Sequence, residues 1–582
     1  MRLASLIFLF LSAYAGAQQS GVSQSPYAAQ QRSNPLNNFV LRLGLPVFTH
    51  GPGFDIGDVV PSFIQTGTNS FYQYGANQCS WGSAVRSLTQ NTGTGGGTGT
   101  NSCTSPGVMD TIKSNLTLSF APNSIVPISP AVNSDFCGDW VESFTKIGST
   151  YYAFVHNEGP CNYTIMGQSN LSVSMWTSST GAPASWSPMA VGGVSPGTII
   201  SSQEPPEATF LTGFGDGSMF PSPDGKWLYA YLAFYCDSSI CDYHNAVARA
   251  PANAPGPGNW SFLYQGCFCA PALNNPYNAT LKLPNADLFK WVGANVATMP
   301  GTPYTAISVD GKDHTFNIPT LENYNGLAVS IALDYVHFTT LHSPIINFDF
   351  QNFGGRPTPD DLYVYSTLLD GTSGSNVLSN PANMALWSLY VPPNNSLNSR
   401  YLVRYPVTMT RLTTAQRLSG IPQVAISLET YQNTSTGQIY SGHRRSTTVN
   451  PSAGISSDGA TETGWAPAGF LGYILTACPY SVTINACDAN GARIANRIEE
   501  CWSGAAADDY QLHIDTGGTA GSCPSGWTHV RTVGWLFQNA QAFGTTAIYA
   551  CSLTATGTHF SSVSQTCNGQ TFIALLGYAA SN

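Results

Sequence analysis

Charge is what this chain has least of. Only 9% of its 582 residues are Asp, Glu, Lys or Arg, against about a quarter in ordinary globular chains. No basic run is present and the net charge is −10, which argues against nucleic acid as a partner. Solubility must come from Ser, Thr, Asn, Gln and Gly. Long apolar runs are missing too. Beyond the first residues no stretch is long enough to span a bilayer, so no membrane span is expected. Long helical periodicity is nearly absent, which excludes a helical bundle. Cysteine is absent between Cys269 and Cys478, although the chain has 14. Both the early and the late group are even in number, so each can close its own disulfides. The gap implies two separately stapled bodies.

What is present points outward from the cell. Arg2, the apolar run Leu6 to Leu11 and the small residues Ala15-Gly16-Ala17 make a signal peptide over 1–17. The mature chain is expected secreted, in a periplasmic or extracellular setting, where cysteines pair. Cys236, Cys241, Cys267 and Cys269 have Asp242 and His244 nearby and also fit a metal set. Disulfides are preferred there, because free thiolates outside the cytoplasm would be oxidised. Residues 18–38, rich in Gln, Ser and Asn, form a flexible leader.

From Phe39 onward, short apolar and aromatic runs alternate with Gly, Pro, Asn and Asp. The fold class is therefore all-β. Trp227 to Tyr235 is one such run. Ser222-Pro223-Asp224-Gly225 is a turn feeding it. Asp58, Asp139 and Asp216 each follow Gly and stand ahead of a strand, and Asp287 and Asp361 begin similar strands. The intervals are 81, 77, 71 and 74 residues (58 to 139, 216, 287 and 361). A period of this kind signals a repeat, here a five-bladed β-propeller over 39–412 with acids around its axis. An Asp ahead of a strand is also ordinary turn chemistry, most of all for Asp287 and Asp361.

After Arg404 the texture changes. A linker is expected over 413–437, then a module over 438–582. Its repeats end in Leu471-Gly472-Tyr473, Val533-Gly534-Trp535 and Leu576-Gly577-Tyr578. Three copies of a unit too small for its own core suggest a pseudo-threefold β module.

Hydrolysis of a glycosidic bond needs two carboxyls about the anomeric carbon, and a third acid commonly tunes the proton donor. Asp58, Asp139, Glu142, Glu158, Glu207 and Asp216 are the catalytic candidates. Asp55, Asp135, Glu204 and Asp224 are flanking turn acids. Strand alternation sets Asp139 and Glu142 on opposite faces unless a bulge intervenes. Asp139 is favoured on the axis and Glu142 in a groove between blades. Glu158 ends an apolar strand at His156-Asn157-Glu158, where a strand end can hold a polar triplet at a pocket. Trp81, Trp140, His156, Tyr235 and His244 are candidates for substrate binding. Core packing or structural hydrogen bonding competes for each.

The Gly-Asp strand starts, Trp140 to Ser143 with Tyr151 to Glu158, and Ser222 to Gly225 carry a resemblance. Residues 40–412 resemble the five-bladed propeller glycosidases, broadly the family 43 type of arabinanases, arabinofuranosidases and xylosidases, or a related uncharacterised propeller family. The resemblance implies Asp58 as base, Asp139 or Asp216 as the tuning acid, and a Glu as proton donor, for which Glu158, Glu142 and Glu207 compete. It departs at the first strand, which has Gly-Asp-Val-Val-Pro in place of the family's Asp-Pro. The C-terminal part resembles short repeats with Gly-Tyr ends found on secreted bacterial proteins.

The expected activity is cleavage of a furanoside-containing polysaccharide. The alternative is a non-catalytic carbohydrate-binding propeller or cell-surface adhesin. A lyase or calcium-dependent propeller ranks lower, since no Asp-x-Asp-x-Asp loop is present. No cofactor is expected, with a structural calcium left open. The partner is a glycan, with sugar or surface contact through the C-terminal module as a further expectation.

Overall fold

The computed structural model describes residues 39–44, 47–48, 62–67, 70–75, 108–113, 117–118, 138–162, 168–182, 185–189, 197–203, 211–235, 244–276, 281, 296–297, 306–312, 326–332, 335–336, 338–340, 346–347, 362–391, 401–413, 415, 424–442, 465–475, 495–504, 507, 509–515 and 522–581. They are almost entirely strand and turn, as the all-β expectation holds. A 3-10 turn at Cys567–Gly569 is a minor exception. Among these residues no helix is long and apolar enough to cross a membrane. The signal-peptide and leader expectations lie outside the described residues.

β1 (Phe39–Leu43) and β2 (Val47–Phe48) open the chain. A four-stranded antiparallel unit follows: β3 (Ser62–Gly67), β4 (Ser70–Gly75), β5 (Val108–Lys113) and β6 (Thr117–Leu118). The second unit is β7 (Gly138–Ile147), β8 (Thr150–Asn162) and β9 (Gln168–Ser178), edged by β10 (Ser187–Pro188) and β11 (Thr198–Ile200). The third is β12 (Leu211–Pro221), β13 (Trp227–Tyr235), β14 (His244–Pro251), β15 (Ser261–Tyr264) and β16 (Cys267–Pro271). The start of β12 runs parallel to β9 and joins these two units in one sheet. The fourth unit holds β17 (Val296–Ala297), β18 (Ala306–Lys312), β19 (Gly326–Ala332), β20 (Phe338–Thr340) and β21 (Ile346–Asn347). The fifth holds β22 (Leu362–Asp370), β23 (Met384–Val391) and β24 (Tyr401–Arg411). Its outer place is taken by β1, antiparallel to β24.

The local signals explain these strands. Gly148, at φ 60°, turns β7 into β8. The Ser222–Gly225 turn forms as expected: Asp224 Oδ1 accepts from Ser222 Oγ at 2.5 Å and from the Lys226 N–H at 3.1 Å. In β13, Leu228, Ala230, Leu232 and Phe234 face one core while Tyr229 and Tyr231 are buried on the other side. A strand buried on both faces needs a sheet against each. One core packs Phe154, Met175, Phe214, Trp260 and Phe262. A second packs Ile64 of β3 against Val141, Phe144 and Val155 of the next unit. Each such side chain contributes about 1.5–3 kcal/mol. The first strands of successive units adjoin one another: β3 with β7, β7 with β12, β12 with β17, and β17 with β22. Phe63 of β3 meets Trp387 of β23 at 4.6 Å, so the fifth unit returns to the first.

The C-terminal part is three strand triplets. They are β25 (Val424–Asn433), β26 (Ile439–Gly442) and β27 (Trp465–Leu475); β28 (Ala495–Trp502), β29 (Tyr510–Asp515) and β30 (Thr528–Phe537); and β31 (Thr545–Ser552), β32 (His559–Ser562) and β33 (Thr571–Ala580). In each, the first strand pairs with both others. β25 begins at Val424, inside the stretch expected to be linker. Cys501–Cys523 and Cys551–Cys567 are disulfides, and so is Cys267–Cys269. The disulfide preference over a metal set therefore holds for Cys267 and Cys269; Cys236 and Cys241 lie outside the described residues.

Candidate functional site

Three inner strands break register. On β7, Val141 faces Val155 but Ser143 faces Phe154, so Glu142 is an extra residue. On β12, Gly215 faces Ala233 and Gly217 faces Leu232, so Asp216 is extra, at φ 41°. On β22, the shift falls between Val364 and Thr367 and takes in Tyr365, at φ 53°. A bulge re-aims its side chain and interrupts alternation. A left-handed non-glycine backbone is uncommon and marks functional sites.

The bulges bring Glu142 and Asp216 together around His156 of β8. His156 Nδ1 lies 3.2 Å from Glu142 Oε1 and 3.4 Å from Asp216 Oδ1. Glu142 Oε2 accepts the N–H of Gly217, and Tyr235 at the end of β13 donates its hydroxyl to Asp216 Oδ2. Gly215 is glycine for room: a Cβ there would stand 2.6 Å from His156 Cε1. The strands are stitched alongside, with Ser143 Oγ accepting the Met219 N–H at 2.8 Å and Ser62 Oγ donating to the Glu142 carbonyl at 2.6 Å.

Burial dominates the electrostatics, and the carboxyls respond in opposite directions. It pushes Glu142 up to about 7, against the His156 hydrogen bond and with help from the Asp216 charge. Burial also raises Asp216, but the His156 hydrogen bond and charge, then the Tyr235 hydroxyl, outweigh it and hold this carboxyl below its ordinary value. Burial lowers His156, yet the hydrogen bonds and charges of Asp216 and Glu142 lift it well above the usual range. Burial, then the Asp216 charge, raises Tyr235, which stays a phenol. These shifts favour the charged forms of Asp216 and His156 and the protonated form of Glu142. The three offer ligand atoms all within 4.8 Å of one another and could hold a cation in place of the imidazole proton. The same limit keeps the carboxyl oxygens closer than the roughly 6.5–9.5 Å that an inverting pair leaves for water.

Four sequence candidates thus converge: Glu142, His156, Asp216 and Tyr235. Glu142 does lie between two units, on β7 and bonded to Gly217 of β12, where the bulge turns it into the buried cluster. One expectation needs correction. Asp216 does not precede its strand, because it sits five residues inside β12. His156 is 4% exposed and bridges two acids, which leaves it little access to a substrate. Asp139, Trp140 and Glu158 lie at the paired ends of β7 and β8, and His244 begins β14; their side chains are outside the described residues. So are Asp58, Trp81, Glu207, Asp287 and Asp361. Sequence reasoning missed Tyr365, whose hydroxyl acts on Tyr235 electrostatically. It was one aromatic in an alternating strand, with no glycine beside it to mark the bulge.

No family model matches the chain, and no curated protein does. Among solved structures it is similar to an α-L-arabinofuranosidase from Lactobacillus brevis, at 13% identity over 61% of this chain and 94% of that one, with a TM-score of 0.34. It is similar to a family 43 endo-arabinanase from Bacillus licheniformis, at 13% identity over 63% and 97%, with a TM-score of 0.32. An exo-β-1,3-galactanase from Phanerochaete chrysosporium gives 13% identity over 85% and 94%, with a TM-score of 0.33. All are too distant for any of their residues to be carried over to this chain.

Proposed function

We propose that the chain is a secreted glycoside hydrolase that cleaves a neutral, furanoside-containing polysaccharide. Its catalytic body is a five-bladed propeller over 39–412, followed by a pseudo-threefold module that begins at β25. The observation that carries the activity is the Glu142–His156–Asp216 cluster, where two carboxyls on adjacent inner strands are driven apart in acidity. Such a pair supplies one proton-holding acid and one ionised carboxylate at the same pH. Asp216 is the carboxylate that stabilises positive charge on the sugar ring. Glu142 holds the proton, and His156 keeps the two in register. Asp58, Asp139, Glu158 and Glu207 remain candidates for a further acid or base at the strand starts. The propeller reading is supported by five successive antiparallel units whose first strands adjoin in turn, by the contact of Trp387 on β23 with Phe63 on β3, and by β1 completing the last unit. The threefold reading is supported by three glycines. A Cβ on Gly472 would meet Ala579 at 2.6 Å, one on Gly577 would meet Leu536 at 2.7 Å, and one on Gly534 would strike the Leu475 carbonyl. Each triplet thus presses on another in turn.

One observation favours the non-catalytic alternative: the Glu142 side chain is only 1% exposed. A carbohydrate-binding propeller would use the cluster as a structural pivot. Sugar release from arabinan, arabinogalactan and xylan separates the two. Asp216→Asn and Glu142→Gln are each expected to lower kcat at least about 100-fold, as lost acid–base catalysis does. Turnover that survives both substitutions would sink the assignment. Polysaccharide binding with no turnover in the unmodified chain would establish the binding reading.

A further inference from the structure

Cys267 and Cys269 are joined across a single residue, Phe268, on β16. β16 is the outermost strand of its sheet among the described residues. It follows β15 through Gln265 and Gly266, both with left-handed backbones at φ 48° and 85°, which make a two-residue hairpin turn. Both cysteines are exposed, and the bond stands at the tip of this edge hairpin.

Such a bond does little for the fold. A disulfide stabilises chiefly by closing a loop in the unfolded chain, and a loop this short removes little entropy. The strand is held without it. Ser261 and Phe262 pair with Pro271 and Ala270 beyond the cysteines, and Leu263 pairs with Phe268 between them. Phe268 also packs edge-on against Tyr229 at 5.7 Å and has the Arg249 guanidinium 4.2 Å from its ring centroid. Alternate Cα atoms of a regular strand stand about 6.6 Å apart. Those of Cys267 and Cys269 are 5.4 Å apart. A register shift supplies the difference: Leu263 faces Phe268 and Phe262 faces Ala270, so Cys269 is an extra residue. The bulge is a local device that brings two exposed cysteines within bonding reach.

The other two described disulfides are of the opposite kind. They close separations of 22 and 16 residues, and Cys501, Cys551 and Cys567 are fully buried. Exposure decides access for an attacking thiolate, and the sulfur that leaves must depart into water. Charge also favours attack at β16. Arg249 is the only Asp, Glu, Lys or Arg on β13 to β16, so an anionic thiolate meets no carboxylate on these strands.

We infer that Cys267–Cys269 is a site of thiol–disulfide exchange that takes electrons from an external dithiol. A donor thiolate attacks one of the two sulfurs, breaks the Cys267–Cys269 bond and forms a mixed disulfide. The released thiolate takes up a proton. The donor's second thiolate then attacks the mixed disulfide. The donor leaves as a disulfide, and Cys267 and Cys269 remain as a dithiol that has gained two electrons and two protons. This function is independent of glycan cleavage. The test incubates the folded full chain, without denaturant, with dithiothreitol as a small donor and reduced thioredoxin as a protein donor. Alkylation at timed intervals and peptide mapping follow each disulfide. Cys267–Cys269 is expected to open at least about tenfold faster than Cys501–Cys523 and Cys551–Cys567, with the circular dichroism of the sheets unchanged. The doubly substituted chain, Cys267→Ser with Cys269→Ser, is expected to stay folded and to consume one equivalent of donor fewer than the parent. Faster reaction with dithiothreitol supports a small dithiol as substrate, and faster reaction with thioredoxin a protein dithiol. Opening at the pace of the two buried disulfides, loss of the fold on opening, or linkage of Cys267 or Cys269 to any other cysteine overturns the inference.

Discussion

Gly215 and His156 form a matched pair. The imidazole occupies the space that any side chain at 215 would need, with its Nδ1 only 2.9 Å from a Cβ built there. Gly215→Ala therefore pushes the ring off both carboxylates. Overpacking of this kind costs about 1–3 kcal/mol, to be read as a lower urea midpoint. The same substitution should cut turnover sharply, because Asp216 loses the hydrogen bond that most favours its charge. Unchanged kinetics in a folded Gly215→Ala chain would show that His156 does not organise the site. Glu142 gives a pH prediction. Its folded value of about 7 lies above its ordinary 4.5, so its protonated form is favoured by folding. That contribution is complete below pH 4.5 and is lost as pH rises through 7. Glu142→Gln has no such loss. Its stability relative to the parent should therefore climb between pH 4.5 and 8.5, by about 3 kcal/mol from the linkage relation. Urea unfolding at both ends of that range measures it.

Among the described elements, the turn after β22 is heavily bonded by one side chain. Asp370 is fully buried and accepts from Thr372, Ser373, Ser379 and Asn380. Burial alone would raise its pKa, but the hydrogen bonds from Ser379 and Ser373 outweigh it and hold the carboxyl below its ordinary value. Asp370→Ala should cost about 2–4 kcal/mol, since several donors lose their acceptor at once. It should also raise deuterium uptake across 372–380 while leaving β13 protected. Uniform uptake across the chain would mean that the carboxylate supports the whole fold and not this turn. The sequence showed strands and turns well, because aromatic runs and Gly-bounded turns are local signals. It showed Asp216 through its flanking glycines, which the bulge and the His156 ring both require. The cluster at Glu142 was not legible from strict alternation: nothing in Trp140-Val141-Glu142-Ser143 announces an extra residue, and the bulge is set by packing between β7 and β12. Asp370 was silent for the same reason, as an Asp in a loop looks like an ordinary turn residue.

At the scale of the whole molecule, β1 is expected to decide whether the five-unit part and the C-terminal triplets, which share one sheet through it, unfold as one. It pairs antiparallel with β24, Leu41 opposite Met409, and parallel with β25, Leu41 opposite Val424. The strand nearest the start of the described chain thus lies between the fifth unit and the first C-terminal triplet. Arg42 strengthens the second contact, with its guanidinium 5.3 Å from the Tyr473 ring centroid on β27. Proline at position 42 removes an N–H from a strand bonded on both sides and is poorly tolerated in a sheet interior. Arg42→Pro should therefore destabilise both bodies and uncouple them. Calorimetry of the parent chain is expected to show one dominant transition. The variant should show two, the lower belonging to whichever body relies more on β1. Limited proteolysis should cut the variant between β24 and β25 at least about tenfold faster than the parent, because β1 would no longer bridge them. One transition at an unchanged temperature would show that β1 is an ornament on the fifth unit and that the bodies are joined by some other contact.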